Sequence, residues 1–401
     1  MRILYVINQI SEWRGDSGLV WYSAKFLENK GHEVSIATTD GNPSKNKDED
    51  QNYLSILKKL SNTKDNPVII DGIPVYAAHC TIESLGMYAP NAKHLAKKIA
   101  KNFDLIHIYS WYHHIGIEFF KIAKSTGIPL VVSLMGTLQS DAHNFYKYKK
   151  SLVDLVYTKK MLSYSSALHS VGDSENDAYL KFGVNPKKIH KIENGINLED
   201  FKLKNKSDIL KRIHIDEKPY ILFLSRINKK KGLELLLQSF KILKNSNQKI
   251  YLVIAGTGDP EYVEQIKKYV KKIGLQDWVI FTGLVSQDEK ITLFNSAKLF
   301  TLISISDIHP RAIEEALTMG VPVVISKESD FPEVSEYNAG IIVNRDQKPI
   351  TDAFKKLLED EDSLKKLSHN AKKLIKENFL NENQIEKFEQ LYYSLIQKIS
   401  N

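Results

Sequence analysis

Short apolar runs alternate with longer amphipathic stretches along this chain, and the pattern is laid down twice. MRILYVINQ opens the first half and PYILFLSRI, residues 219–227, opens the second. Each reads as a strand followed by a glycine-containing basic loop and then a helix. Further strands are predicted at 32–39 (HEVSIATT), 104–110 (DLIHIYS), 129–136 (PLVVSLMG) and 166–172 (SALHSVG) in the first half. In the second half they are predicted at 221–225, 249–256, 278–283, 298–304 and 322–326. Brief, nearly continuous apolar strands separated by helices imply parallel sheets covered on both faces. The expected fold class is therefore α/β, with two doubly wound Rossmann-like domains. A chain of that kind is expected to hold its ligand in the cleft between the domains, at the carboxyl ends of the strands. The stretch 201–218, FKLKNKSDILKRIHIDEK, is charged and poor in strand signal, and marks the boundary. Residues 41–67 read as polar loop with a short helix. No repeat with a period of 20 to 50 residues is visible.

Composition narrows this picture. The chain has 401 residues, 42% hydrophobic and 26% charged, an ordinary globular balance sufficient for two domains. Cys80 is the single cysteine, which excludes a disulfide framework and points to a reducing compartment. No run approaches the ~18 apolar residues of a membrane span, and the N-terminal apolar run reads as a strand and not a signal peptide. A formal net charge of +8 suits an anionic ligand or an anionic membrane surface without choosing between them. The stretch 145–165 interleaves aromatics with Lys147, Lys149, Lys150, Lys159 and Lys160. It reads as a core-packed helix with lysines outside, or as a basic face lying on an anionic bilayer.

The candidate chemistry lies mainly in the second half. In SDIHPRAIEEALTMGVP, Asp307 stands eight residues before Glu315. An apolar helix surrounds Glu315 and a strand follows, so Asp307 falls in the preceding loop and Glu315 a turn or more inside the helix. A helix N-terminus is electropositive and offers free N–H groups to phosphate or sugar oxygens. An acid before it can hold sugar hydroxyls, and an acid within it can reach a ribose diol. The alternative is that Glu314 and Glu315 are solvated acids favoured by the helix dipole. In SRINKKKGLELLL, Arg226 and Lys231 flank a strand-to-helix loop, five residues apart. A guanidinium fork and an ammonium point charge in that place can stabilise a phosphate-like anion, and the alternative is a solvated lysine cluster. Strands also end at Gly256-Thr257-Gly258 and at Gly283, where glycine permits close backbone approach or simply a tight turn. The acidic runs at Asp48–Asp50 and Glu359–Asp362 have no strand behind them and read as solvated faces, so no metal site is expected.

Together these motifs resemble glycosyltransferase family 4, the retaining GT-B "group 1" enzymes. The acid pair is similar to that family's E-x7-E motif in its E-G-F-P-R-x-x-x-E-A form: Pro310, Arg311, Glu315 and Ala316 match, Asp307 replaces the first Glu, and Ile308-His309 replace Gly-Phe. Arg226–Gly232 matches the family's R-x4-K-G element. The resemblance covers nearly the whole chain and is strongest over 219–343. It implies a GT-B fold: an N-terminal domain over 1–200 on the acceptor side, a linker over 201–217, a donor-binding domain over 218–375, and a helix over 376–401 crossing back to the first domain. It implies catalytic roles for Arg226, Lys231, Asp307 and Glu315. It implies donor contacts from Gly18, Gly136, Gly256, Gly258, Gly283, Leu284, Val285, His309, Pro310 and Arg311. Gly15, Trp111, His113, His114 and Met135 are expected to line the acceptor side of the cleft. Met135 is a departure, because the family usually has a donor-touching histidine before that glycine.

The implied activity is transfer of a sugar, with retention and without a metal or other cofactor, from a nucleotide-diphospho-sugar to a hydroxyl of a glycan, glycolipid or lipid-linked acceptor. The expected partners are that donor and acceptor, with an anionic membrane surface left open and no nucleic acid. The expected place is the cytoplasm, with the inner face of the cell membrane as the peripheral variant. Two other readings stay open on sequence: a catalytically silent GT-B partner subunit that binds sugar-nucleotides, and another GT-B enzyme such as an epimerase or phosphorylase.

Overall fold

The computed structural model describes residues 1–10, 16–41, 51–62, 66–83, 87–138, 157–205, 207–246 and 249–400. The chain divides into two compact units. Met1–Gly195 with Asn381–Asn401 form the first, and Ile196–Leu380 form the second.

Among the described residues, the first unit is built on eight strands: β1 (Arg2–Gln9), β2 (Glu33–Thr39), β3 (Val68–Ile70), β4 (Ile73–Ala78), β5 (Leu105–Tyr109), β6 (Leu130–Ser133), β7 (Ala167–Ser170) and β8 (Ile189–Lys191). Their order is β3-β4-β2-β1-β5-β6-β7-β8. Every pairing is parallel except β3 with β4. That hairpin was not read from the sequence, although its signal is present. Asp71-Gly72 separates two apolar runs, and both residues take positive φ, 44° and 88°. This is the backbone that a two-residue hairpin turn demands.

The second unit carries β9 (Tyr220–Leu224), β10 (Tyr251–Ala255), β11 (Val279–Gly283), β12 (Leu299–Leu302), β13 (Val323–Ser326) and β14 (Gly340–Val343). Their order is β11-β10-β9-β12-β13-β14, all parallel. Strands β12 and β13 are buried along their whole length, which is why their sequences show no polar alternation. The strand order runs outward in both directions from the β9–β12 pair. That reversal is the topological switch point, where an open α/β sheet leaves a crevice at its carboxyl edge.

The charged stretch 201–217 is not a free linker. Phe201, Ile209 and Ile215 are buried in the second unit's core, and its short helix Ile209–Arg212 supplies Arg212, whose guanidinium reaches Glu289 at 2.6 Å. The final helix, Asn381–Ser400, buries Ile385, Phe388, Leu391, Tyr392 and Leu395 in the first unit's core. The Tyr392 hydroxyl hydrogen-bonds His107 at 2.6 Å, and Glu389 holds both Lys30 and His32. Among the described residues no helix is long and apolar enough to cross a membrane. Most of the basic aromatic stretch, its residues 145–156, lies outside the described residues, as do Asp48–Asp50. Of its end, helix Lys159–Tyr164 buries Met161 and Leu162.

Candidate active site

The loops after β9 and β12 meet at the switch point of the second unit. Gly232 ends the first loop with φ +68°, and a Cβ there would come within 1.9 Å of the Ile303 carbonyl oxygen. Only glycine lets the two loops pack this closely. The Ile305 N–H donates to the Lys230 carbonyl at 2.7 Å and fixes their register. From opposite sides, Lys231 and Asp307 converge: the ammonium donates to both carboxylate oxygens, at 2.7 and 2.9 Å. The Asp307 N–H is itself held by the Glu328 carbonyl at 2.9 Å. The pair is only partly open, with side chains 13% and 21% exposed. Arg226 is exposed in the same loop, and no carboxylate pairs with it among the described residues. Two of the assigned catalytic side chains, a cation and an anion, are thus in direct contact, and a second cation, Arg226, stands in the same loop with no carboxylate against it among the described residues. A diphosphate would satisfy that excess positive charge.

The acid helix spans Arg311–Thr318 with Pro310 at its N-cap. Neither of its adjacent acids is solvated, so the dipole-only reading of the pair does not hold. Glu314 is fully buried and Glu315 is 8% exposed. They point to different partners. Glu315 accepts from Lys290 Nζ at 2.6 Å. Lys290 sits on helix Gln287–Ser296, 25 residues away in sequence, and no local spacing signals it. Glu314 accepts from Arg311 at 3.2 Å. Burial pushes the Glu314 carboxyl up to about 7, with Arg311 and His309 opposing that shift.

His309 corrects the expectation of a donor contact. Its imidazole has no exposed surface, stacks on Phe331 with centroids 4.1 Å apart, and lies between Glu314 and Glu333 at 3.9 and 3.4 Å. The replacement of Phe by His at this position therefore changes the support beneath the loop and not its outer surface. His309 also takes φ +42°, so this buried packing holds a strained backbone just before the helix. Arg311 remains partly exposed while bound to Glu314.

The strand-end glycines divide into two kinds. A Cβ on Gly256 would meet the Ser225 carbonyl oxygen at 2.0 Å, and one on Gly258 would meet that of Ile227 at 1.9 Å. Close backbone contact with the β9 loop explains both, and Ile227 N–H donates to Thr257 O at 2.8 Å in the same place. Gly283, at φ +72°, faces open space instead, and Leu284 beside it is 69% exposed. Val285 is partly buried. That exposed backbone turn with an apolar side chain is the part of the set open to a ligand.

In the first unit the assigned residues mostly do structural work. Gly15 lies outside the described residues, and Gly18 is buried in helix Asp16–Asn29. Trp111 is 3% exposed and donates its indole N–H to Thr158 Oγ1 at 2.8 Å, so it is core and not lining. His113 caps helix His114–Thr126: its Nδ1 accepts the Gly116 N–H at 3.0 Å and its Nε2 donates to the Tyr109 carbonyl at 3.2 Å. Burial drives its pKa down to about 4, and it is closed to a sugar. His114 is part-exposed, lies against Tyr88, and bonds the Ala89 carbonyl at 3.0 Å. Met135 is part-exposed at φ +51°, in the turn after β6. The Gly136 N–H is already taken by Glu175 at 2.8 Å, whose other oxygen accepts Val171 N–H at 3.0 Å. This carboxylate clamp under the turn was not anticipated. No cluster of three metal-ligating side chains occurs among the described residues.

Comparison with known proteins agrees with this architecture. The family model for glycosyl transferases group 1 matches residues 205–374, and that for glycosyltransferase family 4 matches residues 18–200. The N-acetyl-alpha-D-glucosaminyl L-malate synthase of Bacillus anthracis is 25% identical over 96% of this chain and 96% of its own length. The alpha-monoglucosyldiacylglycerol synthase of Streptococcus pneumoniae is 26% identical over 74% of this chain and 64% of its own. The crystal structure of Anabaena HepE in complex with UDP and glucose is 17% identical with a TM-score of 0.73, covering 98% of this chain and all of that one, a likeness of fold. Two parallel-sheet units with a basic switch-point site, matched along both halves, place this chain in the GT-B fold, and it belongs to the family-4-like group 1 glycosyltransferases.

Proposed function

We propose that this glycosyltransferase is a retaining, metal-independent enzyme that takes its sugar from a nucleotide-diphospho-sugar and passes it to a hydroxyl of a glycan, glycolipid or lipid-linked acceptor. The observation that carries the reading is the Lys231–Asp307 contact at 2.7 Å at the switch point, with Arg226 in the same loop. In the reaction, the bond between the anomeric carbon and the β-phosphate oxygen breaks. The acceptor oxygen bonds to the same face of that carbon, and its proton passes to the departing phosphate oxygen. Arg226 and Lys231 stabilise the negative charge left on the diphosphate, the task a divalent ion would otherwise perform. An ammonium has three N–H donors. Lys231 can therefore keep Asp307 and still reach a phosphate. Asp307 holds the donor sugar, and Glu315 accepts from the ribose hydroxyls.

Retention is supported by the relatives' names, which specify alpha-linked products. An α-linked sugar-nucleotide yields such a product only if configuration is kept. The HepE complexes hold UDP and UDP-glucose on the same fold, which supports a uridine nucleotide as the first donor to try.

The test is a panel of UDP-, GDP- and ADP-sugars. Thermal stabilisation identifies the donor, since a ligand bound to the folded state raises the melting temperature. Release of the nucleoside diphosphate is then followed with acceptor, with and without excess EDTA. Acceptor-dependent release that survives EDTA is expected. Loss with EDTA and recovery with Mg²⁺ or Mn²⁺ would overturn the metal-free mechanism.

A further inference from the structure

We infer that Lys290 is a positioning residue of the nucleotide site, holding one oxygen of Glu315 so that the other is presented to the ribose hydroxyls. The inference rests on the ribose role proposed for Glu315. Its own observation is the contact itself: Lys290 Nζ lies 2.6 Å from Glu315 Oε1, with the two side chains only 17% and 11% exposed. Among the described residues Oε2 carries no hydrogen bond. The other nearby cation, Arg311, is bound to Glu314 and not to Glu315.

The position of Lys290 is built, not incidental. Its helix begins at a capping box, in which Ser286 and Glu289 satisfy each other's backbone N–H groups. Glu289 is further tied to Arg212 at 2.6 Å, and the Lys290 N–H donates to the Ser286 carbonyl at 2.9 Å. Lys290 therefore leaves the first turn of a helix clamped at its start. That helix directly follows the exposed Gly283-Leu284-Val285 turn.

The physical need is plain from the neighbouring residue. Glu314, buried on the same helix, is a carboxyl whose burial favours the neutral form. A ribose diol donates two hydrogen bonds and is best met by a charged acceptor. Glu315, by contrast, has an ammonium 2.6 Å from one of its oxygens. Lys290 supplies the cation and fixes the carboxylate's rotation by occupying Oε1.

The experiment measures dissociation constants of UDP, GDP and ADP, and of their 2′- and 3′-deoxy forms, on the full-length wild type, Lys290→Met, Lys290→Arg and Glu315→Gln. For the nucleotide that binds, wild type is expected to prefer the ribo form by on the order of tenfold, the scale of one hydrogen bond to a charged group. Lys290→Met should bring that preference within about twofold while leaving deoxy-nucleotide affinity, which reports the phosphate contacts and intact folding, nearly unchanged. Lys290→Arg should restore most of the preference. If Glu315→Gln abolishes the preference and Lys290→Met keeps it, the Lys290 inference falls while the ribose role stands. If Glu315→Gln keeps the preference, the ribose role falls and the inference with it. Binding of none of the three nucleotides to wild type would overturn both.

Discussion

Lys231→Met gives the most direct test of the switch-point site, because it acts on stability and activity through different partners. The methionine keeps the aliphatic stem and removes the charge that Asp307 accepts from at 2.7 and 2.9 Å. The pair is 13% and 21% exposed, between an open surface pair and a fully buried one. Leaving Asp307 uncompensated should cost about 2 kcal/mol, above the ~0–1 of exposed pairs and below the ~3–5 of broken buried pairs. In a unit of this size that corresponds to a fall of roughly 4–8 °C in melting temperature. Adding Asp307→Asn to the same chain removes the unpaired charge and should return most of the loss, a coupling that a double-mutant cycle reads directly. Activity should not return. Loss of one preorganised cation at the diphosphate is worth about 2.7–4 kcal/mol, or ~100–1000-fold in turnover, and the second substitution removes the sugar-holding acid as well. Melting curves and single-turnover release of nucleoside diphosphate give the two readouts. Near wild-type turnover in Lys231→Met would refute the diphosphate role, and additive stability losses in the double variant would refute the coupling.

Three further outcomes are expected. Glu314 has a folded pKa raised to about 7, so its stabilising effect is complete below the ordinary carboxyl range of ~4.3 and is lost as pH rises through 7. Glu314→Gln should flatten the decline in stability between pH ~4.5 and ~7, a change on the order of 3 kcal/mol at most, and an unchanged profile by pH-dependent denaturant melts would reject the assignment. Gly258→Ala places a Cβ 1.9 Å from the Ile227 carbonyl oxygen, so backbone must shift; a loss of about 1–3 kcal/mol by chemical denaturation is expected, and a neutral result would contradict the packing described. Met135→His suits the existing φ of +51°, a region where His is enriched among non-glycine residues. If this position shapes donor choice, the ranking among glucose, N-acetylglucosamine, mannose and deoxy or pentose donors should change, whereas uniformly altered rates with the same ranking would exclude that role.

The sequence by itself determined the elements and their class. Continuous apolar runs such as YILFL and VVIS can be buried on both faces only in a parallel sheet covered by helices, and so they were legible without coordinates. The spacings Arg226–Lys231 and Asp307–Glu315 were legible for a similar reason. Each lies within one loop-helix segment, where backbone geometry alone relates the residues. Strands β3, β8 and β14 were missed because three or four residues, in β8 only one of them apolar, carry too little pattern to separate them from loop, and the six-residue β4 was missed with β3 because the Asp71-Gly72 turn joining them was not recognised.

Contacts across the fold were not legible. Lys231 meets Asp307 over 76 residues and Lys290 meets Glu315 over 25, and only the packing of separate loops and helices brings them together. Local spacing also said nothing about which way a side chain faces. Trp111, His113 and His309 have the chemistry of a sugar site, yet all three are buried, serving as an indole donor to Thr158, a helix cap and a prop stacked on Phe331. Gly256 and Gly258 looked like ligand-contact glycines, and the carbonyls that press against them belong to a strand loop some thirty residues earlier. Residue type and local period come from covalent chemistry and backbone geometry, whereas partner and exposure are decided when tertiary packing chooses which polar groups lose water and must find one another.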